Sequence, residues 1–301
     1  MKALQVHYFG DPLLEWKGNI KDLLYLSFFQ MITDSGHLAS NPCRVCGHPV
    51  QEKFRKKNLL KYEAQYGLCP HCGFLQVDNP FWLAEAYDNA ITILDIGLPS
   101  RNLSMANRLG PKFKKFSNKN SRYLDYAGGY GLFTRMMRDK GFNFYWQDDY
   151  CENIFARSFS VLDHNNPRNF DLVTAFEVFE HMLYPLNEIE KIFTFSGNLL
   201  FSTELLPKTE SVDQWWYLVP ETGQHISFYS LHTLEYLASH FNKHLYSDNK
   251  SLHMLSETKM KVNFTSKPLS FKFHSWWERY RYKSLLSSDF TKIKSDLNKG
   301  I

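Results

Sequence analysis

Residues 121–140 read SRYLDYAGGYGLFTRMMRDK, and this stretch decides the fold. Arg122 to Tyr126 is a short β-prone run. Ala127-Gly128-Gly129-Tyr130-Gly131 makes a turn, and Leu132 to Lys140 then carries its apolar residues at helical spacing. Gly141 stands where a helix commonly closes in a left-handed residue. Strand, glycine turn and helix in that order open a βαβ unit, so the same alternation should continue. It does. Phe142 to Gln147 (FNFYWQ) is the next strand, ending at Asp148-Asp149, and Phe170 to Phe176 (FDLVTAF) is another. A helix follows from Pro185 to Phe195, then the strand Asn198 to Thr203 (NLLFST), then a helix from Leu231 to Phe241. Such alternation predicts a mostly parallel sheet with helices on both faces.

The chain upstream is of another kind. Cys43-x-x-Cys46 and Cys69-x-x-Cys72 are each followed by glycine, Gly47 and Gly73. A glycine there relieves crowding where the backbone folds back over an ion, so two such turns can bring four thiolates onto one Zn2+. A closed shell of four sulfurs leaves no position for substrate water, which makes the expected zinc structural. His48 and His71 flank the knuckles as possible substitutes. The basic run Lys53 to Lys61 between the pairs reads as a solvated face. Phe81 to Leu98 and Arg101 to Leu109 both read as helices joining this module to the main domain. The chain therefore divides into an N-terminal arm (1–40), a zinc-knuckle module (41–80), a helical linker (81–120), the α/β domain (121–250) and a C-terminal extension (251–301).

Bulk properties narrow the class. With 44% hydrophobic and 16% aromatic residues there is ample material for a core. The net charge of +4 is mild and argues against a large nucleic-acid footprint. No apolar run approaches the ~20 residues that span a bilayer. Leu23 to Ile32 (LLYLSFFQMI) lacks the cleavage-site pattern of a signal peptide, and the paired cysteines suit a reducing compartment. A cytoplasmic protein is expected.

The glycine turn gains meaning from its acidic neighbours. Small residues at the strand–helix junction let a ligand approach free backbone N–H groups. Asp125 precedes the turn, where its carboxylate can accept from the turn amides and face a cation. Asp148 ends the next strand, where an acid receives both hydroxyls of a ribose; Asp149 is the close alternative.

At this point the residues resemble a known family. LDYAGGYG with an acid closing the second strand looks like the first motif and its partner in class I S-adenosylmethionine-dependent methyltransferases. Phe170 to Pro185 (FDLVTAFEVFEHMLYP) is similar to that family's fourth-strand segment, Asn198 to Pro207 to its fifth, and Gly223 to Phe228 (GQHISF) to the segment before the next helix. The resemblance spans Cys43 to Phe241 in the right order. It implies a Rossmann-like, doubly wound, seven-stranded sheet, with S-adenosylmethionine held by Asp125, Ala127, Gly128, Gly129, Gly131, Asp148 or Asp149, and Glu177, the last on the methionine amino group. One departure is Ala127, which stands where the first motif glycine is expected. A zinc segment ahead of such a domain resembles methyltransferases acting on sugars and nucleotide-linked sugars, for O- or C-methylation in polysaccharide pathways.

Methyl transfer needs acceptor, methyl and sulfur aligned, and a base where the acceptor must lose a proton. Neutral histidine suits the second task. Of twelve histidines, His225 in the loop after the fifth strand and His181 beside Glu180 are the candidates. Trp215, Trp216 and Tyr217 would wall a sugar-binding cleft. Trp276 to Lys283 mixes aromatics with cations and reads as packing against the domain. Two other functions compete: an RNA methyltransferase whose zinc module holds RNA, and a non-catalytic zinc-dependent scaffold suggested by Ala127 alone.

Overall fold

The computed structural model describes residues 42–92, 94–161, 169–209, 211–261 and 263–265, with Ser284, Leu285, Ser288, Asp289, Thr291, Lys292 and Ser295 nearer the C-terminus. The N-terminal arm, His164 and the run Trp276 to Lys283 lie outside the described residues.

Among the described residues ten strands form two sheets. Strands β4 (Arg122–Tyr126), β5 (Asn143–Gln147), β6 (Leu172–Ala175) and β7 (Asn198–Ser202) run parallel, and the sheet continues through β10 (Leu252–Ser256) and β9 (His244–Ser247). Its order is β5-β4-β6-β7-β10-β9, with β10 antiparallel to both neighbours. Six strands are present among the described residues, where seven were expected. Beyond β5 a single parallel bridge, Trp146 to Ser160, extends the sheet.

The period-two alternation of the strands sorts their side chains onto two faces. Tyr123, Leu172, Leu200 and Met254 join one core with Ala106, Leu109 and Phe113 of helix α2 (Leu98–Phe116) and Phe133 and Met137 of α3 (Leu132–Asp139). Their chain neighbours Leu124, Val173, Leu199, Phe201 and Leu255 join the opposite core. There they meet Ile189 and Ile192 of α4 (Pro185–Phe193) and Leu234 and Leu237 of α5 (Leu231–His240). Both faces of the sheet are thus covered, as the alternation predicted. The expected strands and helices of this domain match the observed ones to within two residues at each end.

The linker differs from its expected form. Among the described residues between Phe81 and Gly97, only α1 (Leu83–Ala86) is helical. Asp88, Asn89 and Gly97, residues that favour turns, interrupt the apolar spacing there. Helix α2 instead runs past Gly110-Pro111 to Phe116. A mid-helix proline costs about 3 kcal/mol. Fully burying Leu109 and Phe113, at about 1.5–3 kcal/mol each, offsets it.

The upstream module is a second, antiparallel sheet of β1 (Gln51–Asn58), β2 (Tyr62–Leu68), β3 (Leu75–Val77) and β8 (Ser227–Phe228). Its last strand is delivered from far downstream, pairing Leu75 with Phe228 and Gln76 with Ser227. The core beneath it mixes Tyr66, Leu75, Val77 and Trp82 with Val212, Tyr217, Leu218, Ile226 and Phe228. The N-terminus of α5 adds a second seam. Ser230 caps that helix by accepting from the Thr233 N–H, while the Thr233 hydroxyl donates to the Cys72 carbonyl at 2.9 Å.

Candidate active site

The glycine turn sits at the C-terminal ends of the parallel strands, where open α/β sheets bind ligands. Asp125 does not face outward. It is buried under the turn, its oxygens accepting from Thr134 Oγ1 at 3.1 Å and Thr174 Oγ1 at 3.0 Å rather than from the turn amides. Burial pushes its carboxyl up to about 7 against the pull of these hydroxyls. The expected cation-facing role is therefore replaced by a buttress. A Cβ on Gly128 would stand 2.8 Å from Asp125 Oδ2 and 2.8 Å from Trp146 Cδ1, so the turn lies directly on that buttress.

Ala127 adopts φ +51°, a left-handed conformation, and Gly129 and Gly131 follow at +55° and +81°. This explains why a glycine suits position 127 and what alanine costs there, roughly 1–2 kcal/mol. The two acids at the end of β5 separate cleanly. Asp148 folds back on the turn, accepting from the N–H groups of Gly129 (2.9 Å), Tyr150 (2.8 Å) and Cys151 (2.8 Å). Asp149 points away, accepting from Gln147 Nε2 at 2.8 Å and pairing with Lys191 Nζ of α4 at 3.0 Å. Only Asp148 belongs to the turn.

The end of β6 supplies the rest. Glu177 is also left-handed, at φ +55°. Its N–H donates to Ser202 Oγ at 2.8 Å, whose hydroxyl donates to Glu177 Oε1 at 2.6 Å, and Arg101 Nε lies 3.8 Å from Oε2. A 3₁₀ turn over Phe179–His181 then turns Glu180 and His181 inward. His225 arrives from the loop before β8, its ring 4.9 Å from that of His181. Rather than lying open at a rim, it is half-buried with Nδ1 donating to the Tyr217 carbonyl at 2.7 Å. His181 Nδ1 lies 3.1 Å from the Tyr87 hydroxyl and 3.2 Å from the Gln224 carbonyl. Burial holds both rings neutral, pushing His225 down to about 4 and His181 to about 3. Glu180 is 0% exposed with neither oxygen hydrogen-bonded, and burial raises its carboxyl well above the usual range.

Of the three aromatics expected to wall a cleft, Tyr217 is 1% exposed and Trp215 packs against Phe228 at 5.9 Å. Trp216 alone of the three is exposed, at 69%. Tyr87 and Arg101 emerge as site neighbours beyond the quoted motifs, while Glu180 and Ser202 lie inside them without having been given a role. Of the first two, Arg101 carried a signal in the sequence, as a cation in a segment leading into the domain.

The four knuckle cysteines converge. Cys43 Sγ lies 3.5 Å from Cys72 Sγ and Cys46 Sγ 3.4 Å from Cys69 Sγ, and all four sulfurs fall within 4.8 Å of one another. With Zn–S bonds of 2.3 Å a tetrahedral edge is about 3.8 Å, so the donor set fits zinc. Gly47 and Gly73 take φ +75° and +72° in the turns, as the C-x-x-C-G pattern requires. Cys43 and Cys72 share a hydrogen bond that holds the Cys43 thiol below the usual range and pushes that of Cys72 up. His48 and His71 stack on each other at 3.7 Å on the exposed side.

Residues 99–245 match a family of proteins described as "Methyltransferase domain". No curated protein sequence matches the chain. Similar solved structures include an O-methyltransferase family 2 protein from Planctomyces limnophilus in complex with apigenin, at 17% identity and a TM-score of 0.36, covering 59% of this chain and 66% of that one. Mitomycin 7-O-methyltransferase is 12% identical with a TM-score of 0.39, covering 58% and 59%. Magnesium protoporphyrin IX methyltransferase from Synechocystis, with bound SAH, is 14% identical with a TM-score of 0.37, covering 57% and 90%. The chain spans less than two thirds of the length of the first two. Over residues 99–245 the chain is thus similar to a methyltransferase domain. Among the described residues no helix is long and apolar enough to cross a membrane.

Proposed function

We infer, with the methyltransferase domain as premise, that the protein methylates a small sugar-type acceptor at oxygen or carbon. The observation that carries the reading is the cradle of Ala127 to Gly131 with Asp148 folded against Gly129 N–H, combined with Glu177 and the His181–His225 pair. When bound, S-adenosylmethionine supplies a methyl group on a sulfonium that is its own leaving group. The chain's residues then bind and orient. The turn from Ala127 to Gly131, with Asp125 beneath it, leaves room for close approach. Asp148 would take the ribose hydroxyls, and Glu177, fixed by Ser202, the methionine ammonium.

Proton removal falls to His225. Its Nδ1 donates to the Tyr217 carbonyl, which fixes the tautomer and leaves Nε2 as the lone-pair nitrogen. His181 stands behind it as the second ring of the pair. Exposed Trp216 suits stacking against a pyranose. On the hairpin, moreover, Arg55 pairs with Glu52 and Lys57 approaches Glu63, which weakens a phosphate-binding face. Cys43, Cys46, Cys69 and Cys72 would hold a structural Zn2+, with no part in the chemistry. The test is calorimetry with S-adenosylmethionine, followed by a methyl-transfer screen of nucleotide-linked sugars with wild type and His225→Ala. We expect binding, turnover of at least one sugar acceptor, and a fall of 10²-fold or more in the variant. Full activity in His225→Ala removes the base assignment; turnover of RNA alone removes the sugar.

A further inference from the structure

Glu180 has no role in the scheme above, yet its position is costly. It is completely buried, and neither carboxylate oxygen has a hydrogen-bond partner, although the Tyr217 hydroxyl lies close enough to favour the charged form. A buried carboxyl without partners is expensive, and native proteins keep one only where something compensates it. One carboxylate oxygen of Glu180 and one ring nitrogen each of His181 and His225 lie within 4.8 Å of one another. We propose that Glu180, His181 and His225 form a second metal site, distinct from the cysteine knuckle, for a divalent ion of the zinc, cobalt and nickel class.

Three features support it. Two imidazoles and one carboxylate make a donor set that suits these ions and leaves coordination positions open for a further ligand. Each imidazole is also held as a metal ligand's usually is, with Nδ1 against a backbone carbonyl, Tyr217 for His225 and Gln224 for His181. The two segments that contribute ligands are pinned together as well. Ile226 N–H donates to the Glu180 carbonyl at 2.9 Å, Ser227 Oγ to the Met182 carbonyl at 2.6 Å, and the Tyr229 hydroxyl to the Phe179 carbonyl at 3.0 Å. With metal–ligand bonds of about 2.0–2.2 Å, closing the three ligands onto one ion takes shifts of an ångström or less.

An ion here engages the nitrogen lone pairs of the histidine pair. Resting on the assignment of His225 as proton acceptor, filling the site removes that base and stops turnover. The experiment adds Co2+ to the purified zinc-containing protein, removes excess by desalting and counts retained metal by mass spectrometry. One additional Co2+ per chain is expected, with an absorption spectrum lacking the thiolate charge transfer that replacement at the knuckle would give. Glu180→Gln and His225→Ala, each checked for folding by thermal melting, should lose that equivalent or bind it at least tenfold more weakly. No retained Co2+ in wild type, retention only with thiolate charge transfer, or equal retention in both variants overturns the site. Methyl transfer that falls as the site fills supports both assignments. If Co2+ is retained and turnover rises, the site stands and the assignment of His225 as base is overturned.

Discussion

Replacing Gly128 by alanine tests the idea that the cofactor turn rests directly on a buried carboxylate. The new Cβ would stand 2.8 Å from both Asp125 Oδ2 and Trp146 Cδ1, whereas carbon contacts settle at about 3.5–4.0 Å. Neither neighbour is free to yield. Asp125 is gripped by the hydroxyls of Thr134 and Thr174, and Trp146 Nε1 donates to the Gly129 carbonyl at 2.9 Å. Overpacking of this kind costs about 1–3 kcal/mol. Loss of one hydroxyl bond to Asp125 adds about 1 kcal/mol. Because φ at Gly128 is not positive, the variant also gains about 0.4–1 kcal/mol from a stiffer unfolded chain. The net is a destabilisation of about 1–3 kcal/mol, or roughly 3–10 °C in Tm for a chain of this size. Ala127→Gly should move the other way. It relieves a left-handed alanine at about 1–2 kcal/mol against the same glycine entropy, a gain of roughly 0.5 kcal/mol. Thermal melting with parallel calorimetry for S-adenosylmethionine reads both. A Gly128→Ala protein that melts with wild type and binds the cofactor equally well refutes the buttress, as does a destabilised Ala127→Gly.

The other predictions concern the acids, the metal and pH. Asp148→Asn should weaken S-adenosylmethionine binding by about 10-fold or more, the worth of a hydrogen bond to a charged group. Asp149→Asn, which cuts the pair with Lys191 and touches no amide of the turn, should leave it within twofold; comparable losses in both would undo the distinction. Cys72→Ser should abolish zinc retention and lower the melting of the whole described unit in one transition, because the knuckle cysteines share a core with Val173 and Phe201. Two separate transitions by calorimetry would contradict it. His253, buried between Ser247 and the Thr203 carbonyl, is pushed down to about 4 by burial, against about 6.5 when unfolded. The unfolded chain therefore binds a proton between pH 6.5 and 4 that the folded chain refuses. The stability tied to this group is present above pH 6.5 and lost as pH falls through that window. His253→Gln should flatten the pH dependence of urea-unfolding free energy there by about 1.4 kcal/mol per pH unit, and an unchanged slope counts against it.

Much of this architecture can be read from local pattern. The strands of the parallel sheet declare themselves because each carries apolar side chains on both faces, and the glycine turn because three residues in it are left-handed. Reading fails where distant context overrides the local signal. Gly110-Pro111 looks like a helix end, yet buried Leu109 and Phe113 carry α2 through it. Nothing near Asp125 shows that Thr134 and Thr174 would claim its oxygens, since Thr174 lies on another strand. His225 reads as a loop histidine at an open rim because its sequence neighbours are loop-like. Only the packing of Tyr217, Phe228 and His181 around it produces its burial and low basicity. The strand β8, two residues long, has no periodicity to find.

That short strand has a consequence for how the protein comes into being. All four knuckle cysteines have left the ribosome once residue 72 has emerged, but the sheet beside them lacks its last strand until residues 227 and 228 follow. An ion captured early would sit in a half-built module and serve as a template, holding the β1–β2–β3 ribbon in register while some 150 residues of catalytic domain are translated. A graft that moves residues 41–80 alone into another chain would carry the thiols without their closing strand. The transplantable unit is discontinuous, and its second piece brings His225 along, two residues ahead of Ser227.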